Sequence, residues 1–159
     1  MNAIAVRRTF LVVVAATCLG SVAATDAEAS YGHRQYYSSW SYYPQKSYYY
    51  SSYYYRPTVN YPSYKYHYSI YYPSRPRYVY YYNPVRRVYW GRYDLQEQGY
   101  SMLEEKDRKG ELSEIPESAF PEPSKMPEIP ESADGERMKP VDSDTIPGTA
   151  SKPDELPAG

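Results

Sequence analysis

Tyrosine carries most of the chemistry in this sequence, with 24 occurrences in 159 residues. Twenty-three of these tyrosines lie between Tyr31 and Tyr93, in pairs and triplets separated by serine and proline. Each phenol offers a flat apolar face and a hydroxyl that donates and accepts hydrogen bonds. Basic side chains between the rings, such as Arg34, Arg56 and Lys65, allow cation–π contacts. The pattern predicts many weak contacts with a partner surface.

Residues suited to catalysis or metal binding are scarce. His33 and His67 are the only histidines, and the only cysteine, Cys18, lies in the apolar N-terminal segment. The sequence contains no phosphate-binding loop, no G-x-S-x-G and no H-E-x-x-H motif. The acidic run at 142–144 is not followed by the glycine and glutamate of a calcium-binding loop. We therefore expect a non-enzymatic protein without a cofactor or a metal site.

The formal net charge of −1 hides a division of charge along the chain. Residues 30–93 contain nine Lys or Arg and no acidic residue. Residues 94–159 contain 17 Asp or Glu and seven Lys or Arg, a net charge of 7 − 17 = −10. The two blocks are expected to attract each other, within one chain or between chains, and the attraction should weaken at high salt.

The first 29 residues have the layout of a signal peptide. Arg7 and Arg8 precede an apolar run that begins at Phe10, and small-residue cleavage sites end at Ala24 and Ala29. We expect a signal helix at 1–29 that is cleaved on export, and a mature chain without a transmembrane segment. The general secretory and twin-arginine routes both remain open. The expected location is periplasmic, cell-envelope or extracellular.

The remaining chain is poor in Leu, Ile and Val, and the whole sequence contains 15 prolines. By this measure it buries too little apolar surface to offset the conformational entropy of folding. The composition predicts a mostly disordered, low-complexity protein. It has a basic Tyr/Ser/Pro-rich segment at 30–76 and an acidic, proline-rich disordered tail at 105–159.

Order is expected only at about 77–104. Residues 78–82 and 85–90 are strand candidates separated by a turn at Asn83-Pro84, and Gly91 is a candidate bulge. A polar loop at 94–99 leads to a third short strand candidate at 100–103. These features predict a small antiparallel β-hairpin or a three-stranded meander.

Two resemblances involve this region. Tyr80-Tyr81-Tyr82-Asn83 followed by Trp90 resembles the Y-Y-x-N…W core of the WW domain, which implies a proline-reading sheet. The first Trp and the later Pro of that family have no counterpart, so a plain aromatic hairpin is the favoured interpretation. The tyrosine-rich layout, residues 90–94 and residues 115–121 resemble small secreted proteins of planctomycete-type bacteria. That resemblance implies no activity.

The acidic tail contains a repeat. Glu-Ile-Pro-Glu-Ser-Ala occurs at 114–119 and again at 128–133. Its isoleucines are candidates for docking on a partner, and a solvated spacer is the alternative. The candidate interaction residues of the whole chain are Tyr80, Tyr82, Arg86, Arg87, Trp90, Ile115 and Ile129.

Three functions follow as expectations. The first is an exported structural or adhesive protein of the cell envelope or extracellular matrix that acts, with self-association, through multivalent Tyr/Arg contacts. The second is an exported adaptor that docks a protein partner through the 77–104 region or the repeats. The third is a binder of envelope glycans or other polyanions. Nucleic acid is a less suitable partner for an exported chain, although basic aromatic segments can bind it. Coupling of neighbouring tyrosines into dityrosine is a further hypothesis.

Overall fold

The computed structural model describes residues 33–148, and the predicted signal peptide lies outside the described residues. Seven strands form one antiparallel sheet. They are β1 (Gln35–Tyr37), β2 (Ser41–Tyr43), β3 (Tyr48–Tyr55), β4 (Lys65–Tyr71), β5 (Tyr78–Asn83), β6 (Val88–Asp94) and β7 (Gly99–Met102). The strand order is β1-β3-β4-β5-β6-β7, and β2 also pairs with β3. The described residues contain no helix long and apolar enough to cross a membrane.

The prediction of a mostly disordered chain is wrong. The segment 30–76, expected to be low-complexity and unfolded, supplies strands β1 to β4. The three strands expected near 77–104 exist as β5, β6 and β7, but they continue a larger sheet and do not form an isolated meander. Tyrosine supplies the burial that the few aliphatic residues cannot, because a buried tyrosine removes about 150–250 Å² from water.

Tyrosine alternation gives the sheet two apolar faces. Successive side chains of a strand point to opposite sides, so Tyr48, Tyr50 and Tyr54 of β3 lie on one side, here called the front face. Tyr53 and Tyr55 lie on the other side, the back face. Eight tyrosines of the sheet are buried: Tyr53, Tyr55, Tyr71, Tyr80, Tyr81, Tyr89, Tyr93 and Tyr100. Their rings fill the core, a role that aliphatic side chains have in most proteins.

The acidic tail covers both faces. Its first repeat lies on the front face, where Ile115 packs in a cluster with Ile70, Tyr80 and Leu103. Its second repeat lies on the back face, where Ile129 packs among the buried tyrosines. The same cluster on the back face also contains Met138, Val141 and Ile146. The tail from 105 to 148 is therefore part of the core, although it contains only short 3-10 turns and isolated bridges.

Two sequence signals in the β5–β7 region are confirmed. The Asn83 side chain accepts hydrogen bonds from the backbone N–H of Val85 and Arg86, which closes the predicted turn. The β5–β6 register shifts next to Gly91, as expected for a bulge. A Cβ atom at Gly91 would lie 2.3 Å from the Ser101 carbonyl oxygen. Only glycine therefore allows β7 to approach β6 this closely.

The two charge blocks meet within the chain. Among residues 33–148, seven of the eight ion pairs join a basic residue at 34–92 to an acidic residue at 94–134. Arg34 contacts Asp134 at 2.7 Å, and Arg77 contacts the buried carboxylate of Asp94 at 2.6 Å. The expected attraction between the blocks is therefore present within one molecule.

Candidate functional site

Tyrosines line a groove on the front face, in the part that the first repeat leaves open. The groove has a volume of about 310 Å³. Its tyrosines come from the five strands β2 to β6: Tyr43, Tyr48, Tyr50, Tyr68, Tyr82 and Tyr89. The rings are held by their neighbours, since Tyr50 and Tyr68 meet edge to face at 5.8 Å and Tyr82 and Tyr89 at 5.1 Å. The groove is thus a set of rings with fixed orientations.

Exposed rings extend this surface toward strand β1. Tyr36 and Tyr54 stack across β1 and β3 with their centroids 5.0 Å apart. Tyr66 of β4 is 41% exposed and Tyr43 at the groove is 38% exposed. Along β3 the row from Tyr48 to Tyr54 spans about 20 Å at the usual rise per residue. We call the groove and these rings together the tyrosine face.

The groove carries few charges. Lys46 and Glu111 stand at its edge and form an exposed ion pair at 3.4 Å. Burial, followed by the neighbouring Tyr72, raises the pKa of Tyr48 to about 12. Burial also raises the pKa of Tyr89, whose hydroxyl lies 3.0 Å from that of Tyr72. These phenols therefore stay protonated and neutral at physiological pH.

A second cavity, of about 780 Å³, lies on the back face between the sheet and the second repeat. His67 in its lining is 3% exposed and meets the ring of Trp90 edge to face at 4.5 Å. The Tyr55 hydroxyl lies 3.4 Å from Nε2 of His67. Burial lowers the pKa of His67 to about 4, so its imidazole is neutral at pH 7. We call this space the back cavity.

The structure divides the candidate interaction residues between the two faces. On the front face, Ile115 of the first repeat is buried in one cluster with Tyr80, and Tyr82 lines the groove. On the back face, the cavity brings together Arg86, Trp90 and Ile129. Arg87 is exposed in the β5–β6 turn and lines neither space. The seven residues therefore do not form one site.

Sequence reasoning missed most of the groove. Tyr43, Tyr48, Tyr50 and Tyr68 were treated as part of a flexible segment, although Tyr48 and Tyr50 have the i, i+2 spacing of one strand face. The alternation of Tyr64, Tyr66 and Tyr68 was a second signal of the same kind. His67 lies within that alternation, on the opposite face.

Comparison with known proteins suggests no ligand for the groove or for the back cavity. No family model, no curated protein and no solved structure matches this chain. Among residues 33–148, His, Cys, Asp and Glu side chains form no cluster of three or more suited to a metal ion. The resemblances to secreted planctomycete-type proteins and to the WW domain thus stay predictions from the sequence.

Proposed function

We propose that this chain is an exported, non-enzymatic structural or adhesive protein of the cell envelope or extracellular matrix that holds polysaccharide through its tyrosine face. The observation that carries the proposal is the row of oriented, partly exposed rings on one side of a rigid sheet. Export rests on the signal-peptide pattern of residues 1–29. Adhesion here uses a formed surface and not a flexible chain of tyrosines.

Polysaccharide suits this surface for physical reasons. The C–H faces of sugar rings pack on aromatic rings, and the sugar hydroxyls pair with phenol hydroxyls, which donate and accept. The rings of Tyr43 and Tyr48 pack together with their centroids 5.4 Å apart, and Tyr43 is 38% exposed to a ligand. Rings fixed by their neighbours lose little entropy when a ligand binds.

The groove favours binding over cleavage. Glycoside hydrolysis generally uses two carboxyl groups that face the scissile bond. Glu111 is the only carboxylate among the residues that line the groove, and it is exposed and paired with Lys46. A single exposed carboxylate that already pairs with a lysine lacks the second carboxyl group that this reaction uses.

Two adjacent tyrosines offer a matched test. Both lie on β2, and Tyr43 faces the groove. Tyr42 points to the back face, where it is 50% exposed and packs against Tyr49 of β3. With the chain 30–159 and the neutral probes cellohexaose and maltohexaose, Tyr43→Ser combined with Tyr50→Ser should weaken binding about tenfold, as expected for the loss of two aromatic contacts. Titration calorimetry measures the affinity.

Tyr42→Ser is the control and should leave the affinity unchanged. An equal loss in the Tyr42 variant would mean that any exposed tyrosine serves, and the groove would have no special role. Failure of the unaltered chain to bind both hexasaccharides and envelope polysaccharide preparations would contradict the proposal itself.

The adaptor alternative receives no support at the repeats. Ile115 is 7% exposed and Ile129 is 1% exposed, because both are held against the sheet of their own chain. An outside partner would have to displace them from the core.

A further inference from the structure

The back cavity combines a ring platform with a group of cations. Trp90 is half-buried and is held in place by His67 at 4.5 Å. Arg86, Arg108 and Arg137 line the same space. The guanidinium carbon of Arg108 lies 5.9 Å from the centre of the Trp90 ring. A cation therefore lies over the Trp90 ring, where a ligand stacked on that ring would also meet it.

These arginines retain capacity for a ligand. Arg108 uses its Nε to donate to the Leu103 carbonyl oxygen, and Arg137 uses one terminal nitrogen to donate to that of Met126. Each guanidinium has five N–H donors. Arg86 pairs with exposed Glu105 at 3.2 Å, and such a pair contributes less than about 1 kcal/mol. A ligand carboxylate can replace that partner.

The acidic residues of the cavity do not cancel these charges. Glu128 and Glu131 also line it. Glu131 is held by Lys65 at 2.5 Å, and Lys65 is not part of the lining. The lining therefore has three guanidinium groups against two carboxylates; when the pairs that Arg86 and Glu131 form with residues outside the lining are set aside, two guanidinium groups remain against one carboxylate. The excess favours an anionic ligand.

We propose that the back cavity is a second binding site, for uronic acid units of polysaccharide, with the sugar ring on Trp90 and its carboxylate on Arg86 and Arg108. The cavity volume of about 780 Å³ lies within the usual range for small-ligand sites. Because the groove lies on the front face, and on the condition that the groove binds as proposed above, one molecule joins two polysaccharide chains. Such bridging is what a matrix protein requires.

Neighbouring residues again supply a matched test. Arg86→Gln with Arg108→Gln removes two charges from the cavity lining. Arg87→Gln with Lys109→Gln removes two charges from adjacent positions outside it. With the galacturonate hexamer as probe, the first double variant should lose at least tenfold in affinity, as expected for the loss of two charge-assisted hydrogen bonds. The second should lose less than about twofold, because salt largely screens exposed charges that do not contact the ligand.

Equal losses in both double variants would overturn the proposal, since binding would then follow the overall positive charge. Hexaglutamate is the second probe, and affinity equal to that of the galacturonate hexamer would mean that no sugar ring is recognised, which also overturns it. Cellohexaose separates the two sites. If its binding depends on Tyr43 while galacturonate binding ignores Arg86 and Arg108, the front groove stands and the back site fails.

Discussion

At the level of single residues, the buried tyrosines differ in whether their hydroxyl groups are paired. The Tyr81 hydroxyl lies 2.8 Å from that of Tyr37, which in turn donates to the Lys139 carbonyl oxygen. The Tyr53 hydroxyl donates to the side chain of Gln35. The Tyr100 hydroxyl is buried and has no partner among the described residues. A phenol core therefore depends on where each hydroxyl can find a partner.

Removal of two hydroxyls should have opposite effects. Tyr81→Phe should lower the free energy of unfolding by about 1 kcal/mol, because it deletes a made hydrogen bond. Tyr100→Phe should leave that free energy unchanged or raise it, because it deletes an unpaired buried polar group. Both side chains are at most 1% exposed, so burial is matched. Urea unfolding measures both; a loss at Tyr100 as large as that at Tyr81 would mean that its hydroxyl is paired in solution.

His67 makes the fold sensitive to mild acid. Its pKa is lowered by burial from the ordinary 6.5 to about 4, against a smaller opposing effect of Glu131. Between these two pH values the unfolded chain binds a proton at this residue and the folded chain does not, so stability falls as the pH falls through that window. The loss from pH 8 to pH 5 should be about 2 kcal/mol. His67→Gln should remove this part of the pH dependence in urea unfolding.

The lowered pKa of Asp94 separates its contribution from that of His67. The carboxyl of Asp94 is buried, which by itself raises its pKa, but the hydrogen bonds from Arg77 and from two backbone N–H groups together lower it below 3.8. Its contribution to stability is lost only below that value. A pH dependence between about 5.5 and 6.5 that persists in His67→Gln would contradict the assignment to His67.

At the level of elements, the two repeats act as covers for the two sheet faces. The first is attached by Arg92, whose guanidinium lies between the rings of Tyr78 at 3.8 Å and Phe120 at 4.1 Å. The same guanidinium contacts Glu117 of the repeat at 2.5 Å. The second repeat is attached through Ile129 and through Lys65 and Arg34, which pair with Glu131 and Asp134. Sequence repetition here reflects a repeated role on opposite faces.

Truncation of the repeat isoleucines should therefore destabilise the whole domain. Ile129→Ala and Ile115→Ala should each lower the free energy of unfolding by about 2–5 kcal/mol, the usual range for buried isoleucine. Val85→Ala is the matched aliphatic control, since Val85 is 87% exposed, and it should change stability by less than about 0.5 kcal/mol. Thermal or urea unfolding gives the values. Wild-type stability in both isoleucine variants would mean that the tail is not part of the core.

At the level of the whole molecule, the sheet and the acidic tail form one folding unit. Neither face of the sheet is covered by another layer of strands among residues 33–148, and the tail supplies the second side of both cores. The ion pairs between the blocks add less, because most have at least one well-exposed partner. Burial of apolar side chains by the tail thus contributes more than the ion pairs to holding the tail on the sheet.

A chain that ends at Met102 should not fold. It would retain all seven strands but expose both tyrosine-rich faces, and we expect aggregation and no cooperative unfolding transition. Addition of the separate peptide 103–148 should restore the transition, as monitored by near-ultraviolet circular dichroism of the tyrosines. Cooperative unfolding of the shortened chain alone, with the stability of the full chain, would contradict this dependence.

Several features followed from local sequence. The turn at Asn83 and the bulge at Gly91 depend on the conformational preferences of single residues, which the sequence states directly. The charge division predicted attraction between the blocks, since it depends only on the order of acidic and basic residues. The tyrosine richness and its strand-like spacing at 64–68 were also visible.

The folded sheet, its tyrosine groove and its back cavity were decided by tertiary structure. A tyrosine is buried in the core only where other residues pack against its ring and pair with its hydroxyl, and those partners are distant in sequence. Tyr53 pairs with Gln35 and Tyr81 with Tyr37, and Ile129 packs on the back face. Composition gives the number of tyrosine rings but not which residues they contact in the fold. Long-range packing turned a chain with few aliphatic residues into a sheet with two covered faces, and it left the tyrosine groove and the back cavity open.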